Sequence, residues 1–209
     1  MEHRLEVKKT YRYYTHGDPF QATTIIYALH GYGQLAQYFL KKFKNLDSSY
    51  FVVAPEGMHR FYLKGSSGRV GASWMTKEGR EQDIDDTMNW LNSLDDTIQK
   101  KYQFNKKIIL GFSQGGATAA RWNQFGTYNA NHVIYWASVF PPDLEEKFPI
   151  ESNENLKNYF VLGDQDEYFT QEQQELSFKS YSNKGFNTIK YTGNHSIDTE
   201  ILTNILNRL

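Results

Sequence analysis

The sequence has no cysteine among its 209 residues. Disulfide bonds, thiolate metal sites and a cysteine nucleophile are therefore excluded. It also has no run of eighteen apolar residues, so no segment is predicted to span a bilayer. The first fourteen residues carry charges throughout and lack the apolar stretch of a secretory signal. We expect a cytoplasmic protein.

Charge of one sign is not concentrated anywhere in the chain. Lys and Arg total 23 against 24 Asp and Glu, a formal charge of −1. Binding to nucleic acid or to an anionic membrane usually needs a basic cluster, so we expect neither partner. Aromatic residues are plentiful at 16%. That content fits an aromatic-lined pocket, and it is also compatible with a homodimer formed through exposed aromatic surface.

Short apolar segments alternate with amphipathic segments along the chain. Strands are predicted at residues 24–29, 50–54, 107–110, 133–137, 159–162 and 188–191, and most lack the alternation of a half-exposed strand. Residues 5–14 do alternate, as a strand near a sheet edge would. Helices are predicted at 80–102, 115–125, 171–183 and 198–209. This order predicts one α/β domain over residues 1–209, with a mostly parallel sheet and helices on both faces.

Residues 55–79 form the one long connection in this pattern, and they are rich in glycine and serine. Loops of that length in a compact domain are usually mobile or functional. The connection leaves the carboxyl end of the strand at 50–54, and binding crevices lie beyond those ends in α/β sheets. We expect it to wall an active site, with Phe61, Tyr62 and Trp74 as candidate substrate-binding residues.

A serine with a glycine two residues to either side follows the apolar run at 107–110. Gly111-Phe112-Ser113-Gln114-Gly115 matches the G-x-S-x-G nucleophile elbow, in which a sharp strand-to-helix turn exposes the serine oxygen. Glycines at both flanks remove side chains that would collide in so tight a turn. Ser113 is thus the candidate nucleophile, and an idle serine in a glycine-lined turn is the alternative.

A serine nucleophile needs a base, and in this arrangement the base is a histidine that follows it in the chain. Two histidines follow Ser113. His195 comes just after the last predicted strand, at the carboxyl edge where the base must lie. His132 begins a strand at the opposite edge and fits a surface or core role. His30 precedes the serine, and we interpret it as a residue that braces its own loop.

The base in turn needs a carboxylate to orient it. Asp164 and Asp166 both follow the strand at 159–162, so spacing alone leaves both open. Whichever does not orient the base would shape the turn by accepting hydrogen bonds from backbone amides. Asp143 is predicted to lie in a turn or cap, and Asp198 to cap the last helix.

An oxyanion hole would complete the chemistry. It usually combines the amide after the nucleophile with one from the loop after an early strand. The first would be the amide of Gln114. The second would come from Leu29-His30-Gly31-Tyr32-Gly33, in which the Tyr32 amide is the candidate donor.

Five motifs together resemble the phospholipase/carboxylesterase family of α/β-hydrolases, which includes the acyl-protein thioesterases. The motifs are LHGYG at 29–33, GASW at 71–74, GFSQGG at 111–116, GDQDEYF at 163–169 and GNHS at 193–196. The resemblance implies an α/β-hydrolase fold with Ser113 as nucleophile, Asp166 as orienting acid and His195 as base. It also implies the Tyr32 and Gln114 amides as the oxyanion hole, and no cofactor or metal.

By the same resemblance, the expected activity is hydrolysis of a small-molecule or acyl ester, or of a thioester, through an acyl-enzyme intermediate. One departure lies beside the oxyanion loop, where Gln34 replaces the aspartate usual in the family. The alternative function is that of a catalytically silent protein that binds ligands on a hydrolase fold.

Overall fold

The computed structural model describes residues 1, 3–127, 129–144 and 157–209. Its strands are β1 (Tyr13–His16), β2 (Thr24–Leu29), β3 (Tyr50–Pro55), β4 (His59–Tyr62), β5 (Val70–Ser73), β6 (Lys106–Phe112), β7 (His132–Trp136), β8 (Tyr159–Gly163) and β9 (Asn187–Tyr191). Its α-helices are α1 (Ala36–Phe39), α2 (Arg80–Gln99), α3 (Gln114–Phe125), α4 (Gln171–Asn183) and α5 (Thr199–Leu206). Short 3₁₀ helices lie at Leu40–Phe43 and Pro142–Leu144.

Seven strands form the main sheet in the order β1-β3-β2-β6-β7-β8-β9. Every neighbouring pair is parallel except β1 and β3. Strands β2, β7 and β8 are buried at every position, as expected for parallel strands covered on both faces. The mostly parallel sheet predicted from the sequence is confirmed.

Helices cover both faces of this sheet. Tyr27 of β2 contacts Trp122 of α3 through an edge-to-face ring pair, and its hydroxyl donates to Asp95 of α2. Phe112 of β6 points to the opposite face and stacks on Phe39 of α1. Within the described ranges no helix is both long enough and apolar enough to cross a bilayer.

The edge strand is shorter than its sequence pattern predicts. Only residues 13–16 pair with β3, and Tyr13 lies opposite Pro55, the last residue of β3. The described residues before Tyr13 pair with no strand, although the Arg12 carbonyl accepts from the Glu56 amide at 3.0 Å. The predicted strand over 5–14 is therefore wrong for residues 5–12. Alternation reports which side chains could face a core, but a strand also needs a partner for its backbone.

The connection at 55–79 contains a hairpin rather than an uninterrupted loop. Strands β4 and β5 pair in antiparallel register, and Gln34 forms an isolated bridge with Ala72 of β5. Gly71 lies so close to the loop after β2 that a Cβ there would come within 2.4 Å of the Gly33 carbonyl oxygen. The hairpin is thus fixed against the loop that follows β2.

A buried ion pair links β6 to α2. The Lys107 Nζ lies 2.6 Å from Asp95 Oδ2, with only 8% and 2% of the two side chains exposed. The other carboxylate oxygen accepts the 2.7 Å hydrogen bond from Tyr27, and the ammonium group lies over the Trp122 ring. Removing one partner would leave the other charge buried and unpaired, which is far costlier than losing a surface pair.

Replacing Lys107 with methionine should lower the free energy of unfolding by about 3 kcal/mol, because the Asp95 carboxylate loses its cation. Urea denaturation followed by circular dichroism measures this. Lys101→Met, at an exposed position, should change stability by less than about 0.5 kcal/mol. Combining Lys107→Met with Asp95→Asn should cost less than the two single changes added together. A loss below about 1 kcal/mol for Lys107→Met would contradict this account.

Candidate active site

Ser113 occupies the single-residue turn between β6 and α3. Its φ of 53° and ψ of −122° lie outside the regions that non-glycine residues normally adopt. Two backbone hydrogen bonds of 2.9 Å hold it there: its amide donates to the Trp136 carbonyl, and its carbonyl accepts from the Gly116 amide. The strain expected of a nucleophile elbow is present at this serine.

The two glycines of the G-x-S-x-G motif lie where the backbones of neighbouring elements come into direct contact. A Cβ on Gly111 would lie 2.4 Å from the Gly115 carbonyl oxygen, and a Cβ on Gly115 would lie 2.3 Å from the Leu29 carbonyl oxygen. Helix α3 therefore starts in direct contact with both β6 and β2. No side chain fits between them, which explains the spacing read in the sequence.

Gly115→Ala should destabilise the fold by about 3 kcal/mol or more and reduce any Ser113-dependent activity. The added methyl group meets rigid backbone, so the start of α3 must move. Thermal unfolding and turnover of the same sample measure both effects. Gly65→Ala is the control, since φ there is 59° but nothing lies within 4 Å of the added atom. It should cost only about 1 kcal/mol of backbone strain, and equal losses in the two variants would contradict the proposed contact.

His195 and Asp166 are joined by a short hydrogen bond. The His195 Nδ1 lies 2.6 Å from Asp166 Oδ2, and the Asp166 side chain is completely buried. The second carboxylate oxygen accepts from the Tyr168 amide at 3.0 Å. A carboxylate can only accept here, so Nδ1 of His195 carries the proton and Nε2 is left as the basic nitrogen of the neutral ring.

Asp164, the other candidate acid, has a different role. Its carboxylate accepts from the Gly193 amide at 3.2 Å and from the Thr192 hydroxyl at 3.3 Å. It thereby shapes the turn that carries His195. Of the two aspartates that spacing could not separate, Asp166 is the one that contacts the imidazole.

Three segments meet at the carboxyl edge of the central strands. The His195 ring lies between those of Phe112 and Tyr168, with centroid distances of 4.8 and 4.5 Å. Phe112 immediately precedes Ser113, so the imidazole lies beside the elbow. The loop after β2 lies beside the elbow as well, because a Cβ on Gly31 would be 3.1 Å from the Ser113 Cβ.

The two amides predicted for the oxyanion hole belong to this edge. Neither the Tyr32 nor the Gln114 amide donates a hydrogen bond to another residue in the described part of the chain. The neighbouring amides of the loop are engaged: Gly31 donates to Gln34 Oε1 at 3.0 Å and Gly33 to the Ala72 carbonyl at 2.9 Å. Gln34, which departs from the family pattern, therefore holds the loop.

Residues 21–201 match the serine hydrolase (FSH1) family. The chain belongs to this family. The resemblance found in the sequence is thereby confirmed at the level of serine hydrolases. No protein with a curated description matches this hydrolase.

Solved structures similar to this hydrolase share its fold at low sequence identity. Esterase PE8 superimposes with a TM-score of 0.70 at 17% identity, covering 96% of this chain and 99% of its own. A Bacillus cereus carboxylesterase gives 0.66 at 16% identity, with 95% and 94% covered. Acyl-protein thioesterase 2 of Zea mays gives 0.66 at 15% identity, with 93% and 99% covered. The predicted α/β-hydrolase fold is confirmed.

His30 is built into the interior of the hydrolase. Its ring is fully buried against Trp74, Nδ1 lies 2.8 Å from the Gly31 carbonyl, and Nε2 accepts from the Gly57 amide at 2.9 Å. Both ring nitrogens are occupied, so His30 braces its loop as expected. Desolvation by burial lowers the pKa of His30 to about 4.

The buried His30 should make the fold less stable in acid. An unfolded chain takes up a proton near the ordinary imidazole pKa of about 6.5, whereas folded His30 does not until about pH 4. Its contribution is therefore complete above about pH 6.5 and is lost as the pH falls towards 4. The loss should reach about 3 kcal/mol relative to His30→Gln, measured by urea denaturation across this range. His3→Gln, at an exposed site, should show the same pH dependence of stability as the wild type. A stability curve for His30→Gln that runs parallel to the wild-type curve would contradict the assignment.

Gln114 has a role that sequence reasoning missed. Its side-chain oxygen accepts from the Trp74 amide at 3.1 Å, and its side-chain nitrogen donates to the Met75 carbonyl at 3.0 Å. The sequence predicts a role for its backbone amide, but its side chain also links the elbow to the segment after β5. The available signal was the glutamine in GFSQGG, which goes beyond the general elbow motif.

The three aromatic residues predicted to bind substrate lie in different places. Phe61 is half-buried and Tyr62 exposed, and both line an open groove of about 480 Å³. Trp74 is only 1% exposed, and its indole nitrogen donates to the His30 carbonyl at 2.7 Å. Phe61 and Tyr62 thus lie at the surface, whereas Trp74 packs in the interior against His30.

The remaining acidic and imidazole candidates have other partners. His132 begins β7, and its Nδ1 lies 3.2 Å from the Lys157 carbonyl. Asp143 receives two hydrogen bonds from the guanidinium of Arg121. Asp198 caps α5, as predicted, by accepting from the amides of residues 200 and 201.

Proposed function

We propose that this serine hydrolase cleaves carboxylic esters or thioesters, with Ser113 as nucleophile, His195 as base and Asp166 as orienting acid. The observation that carries the proposal is the 2.6 Å hydrogen bond between Asp166 and Nδ1 of an imidazole that lies beside the elbow. It leaves Nε2 of His195 as the group available to take a proton from a serine held in strained geometry.

The reaction follows from these roles. The Ser113 oxygen attacks the acyl carbonyl while His195 accepts its proton, and the buried Asp166 carboxylate stabilises the imidazolium that forms. His195 then returns the proton to the leaving alcohol or thiol, and the acyl group remains on Ser113. Water, activated by the same imidazole, releases the acid.

Charge develops on the carbonyl oxygen during both attacks. The amides of Tyr32 and Gln114 are proposed to hold it, since both are left without a partner among the described residues. The Gln114 amide also lies at the start of α3, where the helix dipole favours negative charge. Phe61 and Tyr62 are proposed to contact the organic part of the substrate.

The names of the similar structures agree with this reaction class. They are an esterase, a carboxylesterase and an acyl-protein thioesterase. At this identity the comparison shows the fold, and assays with oxygen and sulfur esters distinguish the two substrate types.

Ser113→Ala should lower kcat for p-nitrophenyl esters by at least about 10⁴-fold, because the nucleophile is gone. A fluorophosphonate probe should label the wild type and leave this variant unlabelled. Ser93→Ala, on the exposed face of α2, is the matched control and should keep full activity. Acyl chains from acetyl to palmitoyl, as oxygen and sulfur esters, then define the preferred substrate.

Exchanging each aspartate for asparagine separates the two candidate acids. Asp166→Asn should reduce kcat by about 10³- to 10⁴-fold, since the wrong tautomer of His195 is then favoured. Asp164→Asn, which alters only the turn at 192–193, should cost less than about tenfold. Equal losses would contradict the assignment of Asp166. A wild type that binds esters but neither hydrolyses them nor reacts with the probe would favour the silent ligand-binding alternative.

A further inference from the structure

A second groove adjoins the proposed active site on the side of α1. We call it the cationic groove; it has a volume of about 710 Å³ and is lined by Leu35, Tyr38, Phe39, Lys42, Arg69 and Val70. Gly33 of the oxyanion loop also borders it, which places one end next to the proposed Tyr32 donor. The ring of Phe39 stacks on Phe112, the residue before the nucleophile.

Lys42 brings this groove close to the proposed base as well. It lies on the 3₁₀ helix Leu40–Phe43, and its Nζ donates to the Ile197 carbonyl at 3.2 Å. Ile197 follows His195 by two residues. One hydrogen bond fixes the ammonium group here, and its other two protons remain to be shared with a ligand.

The walls of the cationic groove combine apolar and positive groups. Its apolar side chains could contact a hydrocarbon chain, whereas Lys42 and Arg69 supply two positive charges. Neither cation forms an ion pair with a carboxylate in the part of the chain that the structure describes. The charge of this groove is therefore uncompensated.

The groove beside Phe61 and Tyr62 differs in this respect. It contains Arg12 and Arg60, but both lie within ion-pair distance of the buried Glu56 carboxylate, at 2.5 and 3.8 Å. The two grooves share Leu35 and Val70, so they are adjacent. An anionic ligand is favoured only in the one whose cations have no carboxylate partner.

We propose that the cationic groove binds the anionic end of the substrate, so that the preferred esters carry an apolar chain ending in a carboxylate. This inference rests on the proposed ester hydrolysis and specifies its substrate class. The apolar wall would hold the chain, and Lys42 and Arg69 would hold the charge through charge-assisted hydrogen bonds.

Two sets of substrates test the proposal, one for each side of the ester. The first consists of p-nitrophenyl esters of hexanedioic and octanedioic acids, which place a free carboxylate on the acyl side. The second is the butyrate ester of 6-hydroxyhexanoic acid, which places it on the alcohol side. Each is compared with the neutral analogue in which the carboxylate is a primary amide.

In at least one set, kcat/KM of the wild type should be tenfold or more higher for the carboxylate than for the amide. Lys42→Gln and Arg69→Gln should each reduce that preference by about tenfold, the effect of losing one charge-assisted hydrogen bond. Hydrolysis of the amides should fall less than hydrolysis of the carboxylates in both variants, because the amide carries no charge for Lys42 or Arg69 to bind. Raising the ionic strength should also weaken the preference, because Lys42 and Arg69 are exposed.

Matched controls remove the same charge outside the cationic groove. Lys44 follows the 3₁₀ helix that carries Lys42, and Lys64 lies in the hairpin that carries Arg69. Both residues are exposed, so Lys44→Gln and Lys64→Gln should leave the preference for the carboxylate intact. Hydrolysis of the amides with no preference for the carboxylate in either set would overturn this inference and leave the proposed function standing. An undiminished preference in the Lys42→Gln/Arg69→Gln double variant would also overturn it. No hydrolysis of any ester would overturn both.

Discussion

The contact between the start of α3 and the two central strands is the constraint on which the site depends. Gly111 and Gly115 let the helix backbone touch β6 and β2, with no room for a Cβ at either position. Ser113 must turn within one residue to connect them, and it does so at a φ of 53°. The same contact brings Gly31 to within van der Waals reach of the serine, so one close approach fixes both the proposed nucleophile and the loop that faces it.

Much of the fold could be predicted, because strands buried on both faces produce uninterrupted apolar runs. The bounds of β2 and α4 agree with the sequence pattern, and the other predicted helices differ by up to three residues at an end. The sequence predicts a loop where the structure has the hairpin at 59–73. Its exposed positions and glycines give no strand pattern, because the pairing of its strands depends on contact with Gln34 and Gly33.

The candidate site was predictable where chain order restricts the chemistry and less so where side-chain direction decides. Ser113 and His195 follow from the elbow motif and from the position of the last strand. Asp164 and Asp166 lie two residues apart in one turn, and only coordinates reveal that the first bonds to backbone while the second reaches the imidazole. Trp74 packs in the interior against His30, and a tryptophan in a long connection gives no sign of that in the sequence.

Gln114 joins two parts of the molecule that are forty residues apart in sequence. Its amide belongs to the elbow, while its side chain holds the backbone of Trp74 and Met75. The segment after β5 and the turn that carries Ser113 are therefore mechanically coupled through one residue. A displacement of the segment after β5 would pull on the first residue of α3, so the position of Ser113 depends on a stretch of chain that does not touch it in sequence.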